Sequence, residues 1–211
     1  MAARTLVTRQ SHTLGLISFD TAHFGPASTI FAIAEAARAG GYFLNFVSLA
    51  EVDRLNMREA LDHLMAASVD GIIVIAPVDA AVDTLQGQPA GIPMVVAAAS
   101  GGGPVTSVSV DQVAGARMAT RHLLDLGHRT VFHIAGPIHW LDASARIQGW
   151  RAELEAAGRV AYDVIEGDWS AESGYQAGRR LAVRIKSDHD VTAVFVANDQ
   201  MALGVMRAFH D

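Results

Sequence analysis

The sequence alternates along its whole length between short runs of β-branched residues and longer Ala- and Leu-rich stretches of helical period. Predicted strands in the first half include Leu14–Phe19, Tyr42–Leu49 and Gly71–Ile75, and the last of these has no polar position. A strand that is apolar on both faces is typical of a parallel sheet covered by helices. The repeated alternation therefore predicts an α/β fold with doubly wound parallel sheets.

The alternation starts again after Asp111, which predicts two similar lobes. Further strands are predicted in the first run at 93–97 and 107–110 and in the second run at 129–134, 162–165 and 193–196. The predicted helices are 26–39, 54–67, 79–85, 112–126, 142–157, 170–186 and 199–209. Because a sheet usually has about five strands, the second lobe is expected to be incomplete. We therefore expect a terminal remnant at 1–11, an N-terminal lobe at 12–110 and a C-terminal lobe at 111–211, in a chain cut off at both ends.

The composition narrows the class of protein. Of the 211 residues, 51% are hydrophobic, which is enough to bury a core and excludes a disordered chain. No apolar run reaches the roughly 18 residues that span a bilayer, and the start of the chain has no signal-peptide core. The formal net charge is −6, and duplex DNA is bound largely by neutralising its phosphates. We therefore expect a cytoplasmic protein without membrane contact, whose DNA-binding surface, if it has one, lies elsewhere.

Polar and aromatic residues follow four of the predicted strands. In open parallel sheets, ligands bind beyond the carboxyl ends of the strands. The segments at these positions are 20–26, 135–142, 166–169 and 197–200, and Arg146 lies one helical turn beyond the second of them. We therefore predict one ligand-binding cleft between the two lobes.

The side chains in these segments suit a polyol. An arginine can bridge two neighbouring hydroxyls, an asparagine amide both donates and accepts, and a tryptophan face can cover the C–H side of a sugar ring. Arg146, Asn198 and Trp169 supply these groups. Two of them also have a structural interpretation, since Trp169 can fill a corner of the core and Arg146 can be a solvated charge. Helix capping is the corresponding alternative for Asp168, Ser170 and Asp199.

Catalytic and metal sites are not indicated. No Gly-x-Gly-x-x-Gly follows the first strand, and neither a phosphate loop nor a Gly-x-Ser-x-Gly elbow occurs. The sequence spacing of His122, His128, His133 and His139 from each other and from carboxylates is not the compact one that metal ligands show. We therefore expect no enzyme activity, no catalytic residue, no metal and no cofactor.

Four segments of the chain carry a family resemblance: Gly115–His128, Ala135–Pro137 with Ser144–Trp150, Gly167–Gly174 and Val196–Gly204. Together they resemble the lactose-repressor (LacI) family of bacterial transcription regulators. The sensing core of that family is related to periplasmic sugar-binding proteins. The resemblance covers nearly the whole chain and implies a two-lobed, type I periplasmic-binding-protein-like fold.

The resemblance also implies an effector site with named residues. Arg146 matches an arginine that holds sugar hydroxyls, and Trp169 matches an aromatic residue that packs on the sugar ring. Asn198 matches a hydroxyl-binding asparagine, and Gln200 lies beside it. In the first lobe, the loop that faces the ligand in this family corresponds to His23, Phe24 and Pro26.

Several positions depart from the family pattern. His23 and Phe24 make the wall of the first lobe bulkier and more polar. Ala114 stands where a family member carries an aspartate that contacts ligand. Trp140 and Asp142 replace small hydroxyl residues near the pocket. These departures predict that the ligand is a different glycoside.

The start of the chain, Met1–Ser11, resembles the tail of the family's hinge helix. Leu6 matches the leucine that opens a base step in the DNA minor groove. The helix-turn-helix head that reads DNA in this family is expected to be missing from this chain.

The sequence therefore predicts the sensing and dimerising core of a transcription regulator, a repressor controlled by a sugar or glycoside. The expected partners are that small effector, operator DNA through the missing head domain, and a second copy in a homodimer. One alternative is a periplasmic sugar-binding protein of a transport system, which shares the fold. The other alternative is an α/β enzyme of flavodoxin-like type.

Overall fold

A computed structural model describes residues 10–19, 24–50, 53–75, 78, 85, 91–97, 106–187 and 192–211. The chain divides into two compact units, Met1–Ser109 and Val110–Asp211. Each unit has its own sheet.

The first unit is built on a parallel sheet. Its five strands are β1 (Thr13–Phe19), β2 (Phe43–Leu49), β3 (Gly71–Ile75), β4 (Met94–Ala97) and β5 (Thr106–Val108). They are arranged in the order β2-β1-β3-β4-β5, and every neighbouring pair is parallel. The helices described in this unit are α1 (Phe24–Ala39) and α2 (Arg54–Ala66).

The centre of this sheet is packed directly against α2. Ile17 on β1 and Val74 on β3 are almost fully buried and share a core cluster with Leu64 of α2. A Cβ on Gly15 would lie 2.7 Å from the Leu64 side chain. The glycine therefore lets the helix approach the backbone of β1 closely.

Asp70, directly before β3, binds the backbone that leads into β1. Its carboxylate accepts hydrogen bonds from the backbone N–H groups of Ser11 and His12, both at 2.8 Å, and from the Ser11 hydroxyl. These bonds satisfy donors that precede the strand ladder. They fix the point at which the chain enters between β2 and β3.

The second unit has a parallel sheet of three strands among its described residues. The strands are β6 (Phe132–Ala135), β7 (Ile165–Glu166) and β8 (Val194–Val196), in the order β7-β6-β8. The helices are α3 (Gln112–Asp125), α4 (Leu141–Ala156), α5 (Ala171–Ser187) and α6 (Asp199–His210). Because the strands are parallel, their carboxyl ends meet at one edge of the sheet.

A buried carboxylate joins α3 to α4. Glu153 on α4 accepts a hydrogen bond from Arg117 Nε at 3.0 Å and another from the guanidinium of Arg121, both on α3. Burial alone would raise the pKa of Glu153, but the two arginines outweigh it and hold the pKa below the usual range. Arg117 and Arg121 stand one turn apart, so the pair fixes how the two helices cross.

The predicted α/β fold class is confirmed, and most elements agree with the sequence prediction to within two residues. Strand β6 is one exception, since it begins at Phe132, three residues after its predicted start at Arg129. Helix α1 begins at Phe24, two residues before the predicted start at Pro26. The predicted helix at 79–85 lies outside the described residues except for Leu85.

Strand β7 begins later than the sequence predicts. Tyr162, predicted to start it, instead stacks on Phe132 with 4.6 Å between ring centroids, and the Arg184 guanidinium lies 4.4 Å from the Tyr162 centroid. The ring of Tyr162 thus packs against side chains outside the strand, and pairing with β6 begins only at Ile165. Glu166, predicted to follow the strand, is its last residue and pairs with Ala135.

His133 on β6 is a fully buried imidazole. Its ring stacks on Phe195 at 4.7 Å and tilts against Trp150 at 5.4 Å. Nδ1 lies 2.9 Å from the Phe195 carbonyl oxygen, and since a carbonyl only accepts, Nδ1 carries the proton. Nε2 has no hydrogen-bond partner among the described residues. Burial, assisted by the nearby positive charge of Arg146, lowers the pKa of His133 to about 4.

Acid is expected to destabilise the protein through His133. Below pH 6.5 the unfolded chain takes up a proton at this histidine, whereas the folded protein does so only near pH 4. The free energy of unfolding should therefore fall across that window, by about 3 kcal/mol in total for this one group. Urea unfolding at successive pH values measures the loss.

His133→Phe is the matched control, because it keeps a flat aromatic ring between Phe195 and Trp150 but cannot titrate. Its free energy of unfolding should depend less steeply on pH between 4 and 6.5 than that of the wild type. Equal slopes in the two proteins would contradict the assignment.

Candidate functional site

The candidate site lies at the carboxyl edge of the second sheet. Trp140 follows β6, Trp169 follows β7 and Asn198 follows β8. The structure brings these three residues together with Asp142 and Arg146 of α4. Five of the predicted site residues thus form one cluster within the second unit.

Arg146 is half-buried and hydrogen-bonded on two sides. Its Nη1 donates to the carbonyl of Ala197 at 2.6 Å, and its Nε donates to Oε1 of Gln112 at 2.9 Å. The guanidinium carbon lies 5.7 Å from the centroid of the Trp169 ring. Burial lowers the pKa of Arg146, but an arginine remains charged near neutral pH because its ordinary pKa is so high. Arg146 is therefore a fixed cation whose remaining N–H groups can bind a ligand.

Asp142 lies one turn before Arg146 on α4 and supplies the opposite charge. Its Oδ2 is 3.8 Å from Arg146 Nη2 and accepts a hydrogen bond from Gln112 Nε2 at 3.1 Å. Burial raises the pKa of Asp142, and the arginine acts in the other direction. The site thus contains a cation and an anion that are linked through one amide.

Gln112 is a site residue that the sequence analysis missed. It is the first residue of α3, where Asp111 caps the helix by accepting from the Ala114 N–H. Its partners Asp142 and Arg146 are 30 and 34 residues away, so no local pattern marks it. The one available signal was its position at the start of the second alternating run.

Trp169 is both a core residue and a wall of the site. It is 6% exposed, has a φ of 74° and meets Trp140 edge-on at 5.5 Å. A Cβ placed on Gly136 would overlap the ring of Trp169. Its indole Nε1 has no hydrogen-bond partner among the described residues. The structural interpretation of Trp169 as a corner of the core is therefore correct, and the ring still lies against Arg146.

Asn198 caps α6, the role that the sequence had offered to Asp199. Its Oδ1 accepts from the Met201 N–H at 2.9 Å, and its Nδ2 donates to the Trp169 carbonyl at 2.9 Å. One amide N–H and one oxygen lone pair are then left to bind a ligand.

Asp168 and Ser170 act structurally, as the capping alternative proposed. The Ser170 hydroxyl accepts from the Ser173 N–H at 3.1 Å, and Asp168 accepts from the Ser170 N–H at 2.9 Å. Hydrogen bonds from Ser170 and Ser173 hold the pKa of Asp168 below its usual range. These bonds brace the turn in which Trp169 takes its left-handed backbone conformation.

The other predicted site residues are placed as follows. Gln200 is half-buried in the first turn of α6. Phe24, which is 73% exposed, opens α1 in the first unit, and Pro26 is half-buried two residues later. His23 and Leu6 lie outside the described residues. Ligand contact by any of these residues stays a prediction.

The cluster offers hydrogen-bond donors, acceptors and two aromatic rings. Such a set suits reversible binding of a hydroxyl-rich molecule. Within the part of the chain that the structure describes, no three potential metal ligands come together. None of the described helices is long and apolar enough to cross a bilayer.

Comparison with known proteins places the chain in a family. The model of the periplasmic binding protein domain matches residues 27–211. The chain belongs to this family. The match includes every residue of the cluster in the second unit.

Proteins similar in sequence to this chain include transcription regulators. The lactose operon repressor of Escherichia coli (strain K12) is 32% identical over 209 residues, which are 98% of this chain and 57% of the relative. The HTH-type transcriptional regulator CelR of Thermobifida fusca is 32% identical over 222 residues, covering 98% of this chain and 62% of the relative. The chain therefore spans less than two thirds of the length of either relative.

Solved structures of similar fold are also transcription regulators. The lac repressor dimer bound to operator and the anti-inducer ONPF superimposes with a TM-score of 0.84 at 28% identity, over 99% of this chain and 72% of that one. The CelR–cellobiose complex gives 0.79 at 29% identity, over 95% and 63% of the two chains. These comparisons confirm the resemblance to the lactose-repressor family and favour a regulator over a transport protein.

Gly136→Ala is expected to displace Trp169, because the added methyl overlaps the indole ring. Overpacking of this kind costs about 1–3 kcal/mol. Urea unfolding measures that loss, and tryptophan emission reports the change in the surroundings of the ring.

Gly115→Ala is the matched control, since a Cβ there meets nothing within 4 Å. It should leave the emission unchanged and stabilise α3 slightly. A Gly136→Ala protein with wild-type emission and stability would show that Trp169 does not pack as described.

Proposed function

We propose that this chain is the ligand-sensing core of a LacI-type transcriptional repressor, whose DNA affinity is controlled by a small sugar or glycoside. The observation that carries the proposal is the cluster in which Arg146, held by Gln112 and the Ala197 carbonyl, lies against Trp169. The names of the relatives support it, since they include a lactose operon repressor and a CelR–cellobiose complex.

The proposed ligand contacts follow from the free hydrogen-bonding groups. Arg146 would donate to neighbouring hydroxyls, and the Asn198 amide would bind another. Trp140 and Trp169 would border the apolar face of the ring. Phe24, Pro26 and His23 of the first unit and Gln200 of the second are also proposed to contact the effector; those contacts rest on the family resemblance alone.

Control of DNA binding then follows from linkage. An effector that prefers one arrangement of the two units lowers the affinity for DNA that prefers another, and DNA lowers the affinity for effector equally. With a net charge of −6, these 211 residues are poorly suited to neutralise phosphates themselves. We propose that DNA contact is made through a helix-turn-helix segment outside them, with Leu6 in the hinge that enters the minor groove.

A thermal-shift panel of lactose, cellobiose and ribose tests the proposal. At about a hundredfold excess over its dissociation constant, a ligand stabilises the folded protein by about 2.7 kcal/mol. At least one sugar should therefore raise the melting temperature, and Arg146→Ala should abolish the rise because the donor fork is lost.

Arg146→Lys keeps the charge but loses the fork, so it should weaken the shift without restoring it fully. Arg38→Ala removes an arginine whose side chain is 74% exposed in the first unit and should change nothing. If no sugar stabilises the folded wild type, the sugar proposal is wrong.

We further propose that the chain forms a homodimer through the outer face of α6. Exposed apolar side chains on this helix are Leu203, Met206 and Phe209. The groove between α5 and α6 is lined by Leu203 together with Ala171, Tyr175 and Gly204, and also by the charged residues Glu172, Arg207 and Asp211. A second copy is the proposed occupant, because the matched lac repressor structure is a dimer and because exposed apolar patches mark association surfaces.

Leu203→Glu combined with Met206→Glu should convert the dimer to a monomer, since two charges would be buried at the interface. Sedimentation equilibrium measures the mass. Val160→Glu, also at a well-exposed apolar position, should remain dimeric. A dimer that survives the double substitution would place the interface on another surface.

A further inference from the structure

The cation of the candidate site is already neutralised by the protein. Arg146 donates to Gln112, Gln112 donates to Asp142, and Asp142 lies 3.8 Å from the Arg146 guanidinium. The three side chains therefore form a closed ring. The side chains of Arg146 and Asp142 are only 21% and 31% exposed, so solvent screens their charges incompletely.

We propose that Asp142 is a specificity-determining residue that makes this site select uncharged polyols and reject sugar acids and sugar phosphates. The inference rests on the proposed function and adds the charge of the ligand to it.

The hydrogen-bonding capacity of the ring supports this choice. Arg146 uses Nε for Gln112 and one Nη1 donor for the Ala197 carbonyl, which leaves N–H groups that can only donate. Asp142, next to them, can only accept while ionised. A hydroxyl group both donates and accepts, so it can satisfy both residues at once. An ionised carboxylate or a phosphate dianion cannot donate to Asp142.

Electrostatic repulsion also favours a neutral ligand over an anionic one. An anionic group bound to Arg146 Nη2 would lie within a few ångströms of the Asp142 carboxylate. Repulsion between these like charges would cancel the attraction to the arginine. Replacing Asp142 by a neutral residue would leave a half-buried cation without a counter-ion, which favours anions.

A second role for Asp142 must be separated from this one. It lies in the first turn of α4, where a carboxylate interacts favourably with the helix dipole. Loss of that interaction would lower stability slightly in any neutral variant. It would not change the preference between a neutral and an anionic ligand, so ligand preference distinguishes the two roles.

The test uses the 211-residue chain and pairs of ligands that differ in charge: glucose and glucuronate, galactose and galacturonate, and ribose and ribose 5-phosphate. Calorimetric titration gives the dissociation constants for the wild type and Asp142→Asn. The wild type should bind the neutral member of at least one pair, and bind it more tightly than the anion. In Asp142→Asn, the ratio of the two constants should shift toward the anion by at least about tenfold.

Three controls locate the effect. Asp142→Glu keeps the charge and should retain the wild-type preference. Arg146→Ala in the Asp142→Asn background should abolish anion binding, which places the anion at this site. The gain in anion affinity should shrink between about 0.05 and about 0.5 M salt. If Asp142→Asn does not fold, Asp142→Ser serves as the second neutral variant.

The outcomes separate this inference from the function on which it rests. If a neutral sugar binds and both neutral variants keep the wild-type preference, the role of Asp142 is wrong and the sensing function stands. A wild type that binds an anionic member as tightly as its neutral partner also overturns the role of Asp142. If no member of any pair binds any folded variant, the role of Asp142 is wrong, and the sensing function fails with it only when the thermal-shift panel of lactose, cellobiose and ribose is negative too.

Discussion

The second unit depends on the turn that follows β8. The carbonyl of Ala197 accepts from Arg146 on α4, and the side chain of Asn198 both caps α6 and holds the carbonyl of Trp169. Two adjacent residues thus tie together a helix on one side of the sheet, the helix that starts at the turn, and the loop after β7. This loop contains a tryptophan with a left-handed backbone, a conformation that is uncommon for a bulky residue, and the bond from Asn198 helps to hold it.

The position of the Arg146 guanidinium depends on the same turn. Removing a cation from water is unfavourable unless fixed partners replace the lost hydration, and here Gln112, Asp142 and the Ala197 carbonyl do so. The guanidinium is therefore positioned before any ligand arrives. A ligand that takes only the remaining N–H groups leaves the bonds to Gln112 and Ala197 intact, so little ordering of the site is needed on binding.

The fold was more predictable than the site. Helices α3 to α6 were predictable because hydrophobic periodicity and capping residues are local signals, whereas strand β6 was predicted three residues too early. Strand β7 was misplaced because Tyr162 has a β-forming side chain, yet only Ile165 and Glu166 pair with β6, and the ring of Tyr162 packs on Phe132 outside the strand. The cluster of Trp140, Trp169 and Asn198 was predictable from a rule of topology, since all three follow parallel strands.

Gln112, the site residue that was not predicted, is one that the strand-end rule does not cover. Gln112 opens a helix and follows no strand of the second sheet, so the strand-end rule did not indicate it. Its amide reaches the site because α3 packs on α4. Glu153 of α4, which bridges Arg117 and Arg121 of α3, contributes to that packing, as does the close approach of Gly149 to Val113. A buried carboxylate held by two arginines thus helps to set where the Gln112 amide meets Asp142 and Arg146. The charge balance of the site therefore depends on a helix contact made two turns further along α4, and such a dependence is visible only once the helices are packed.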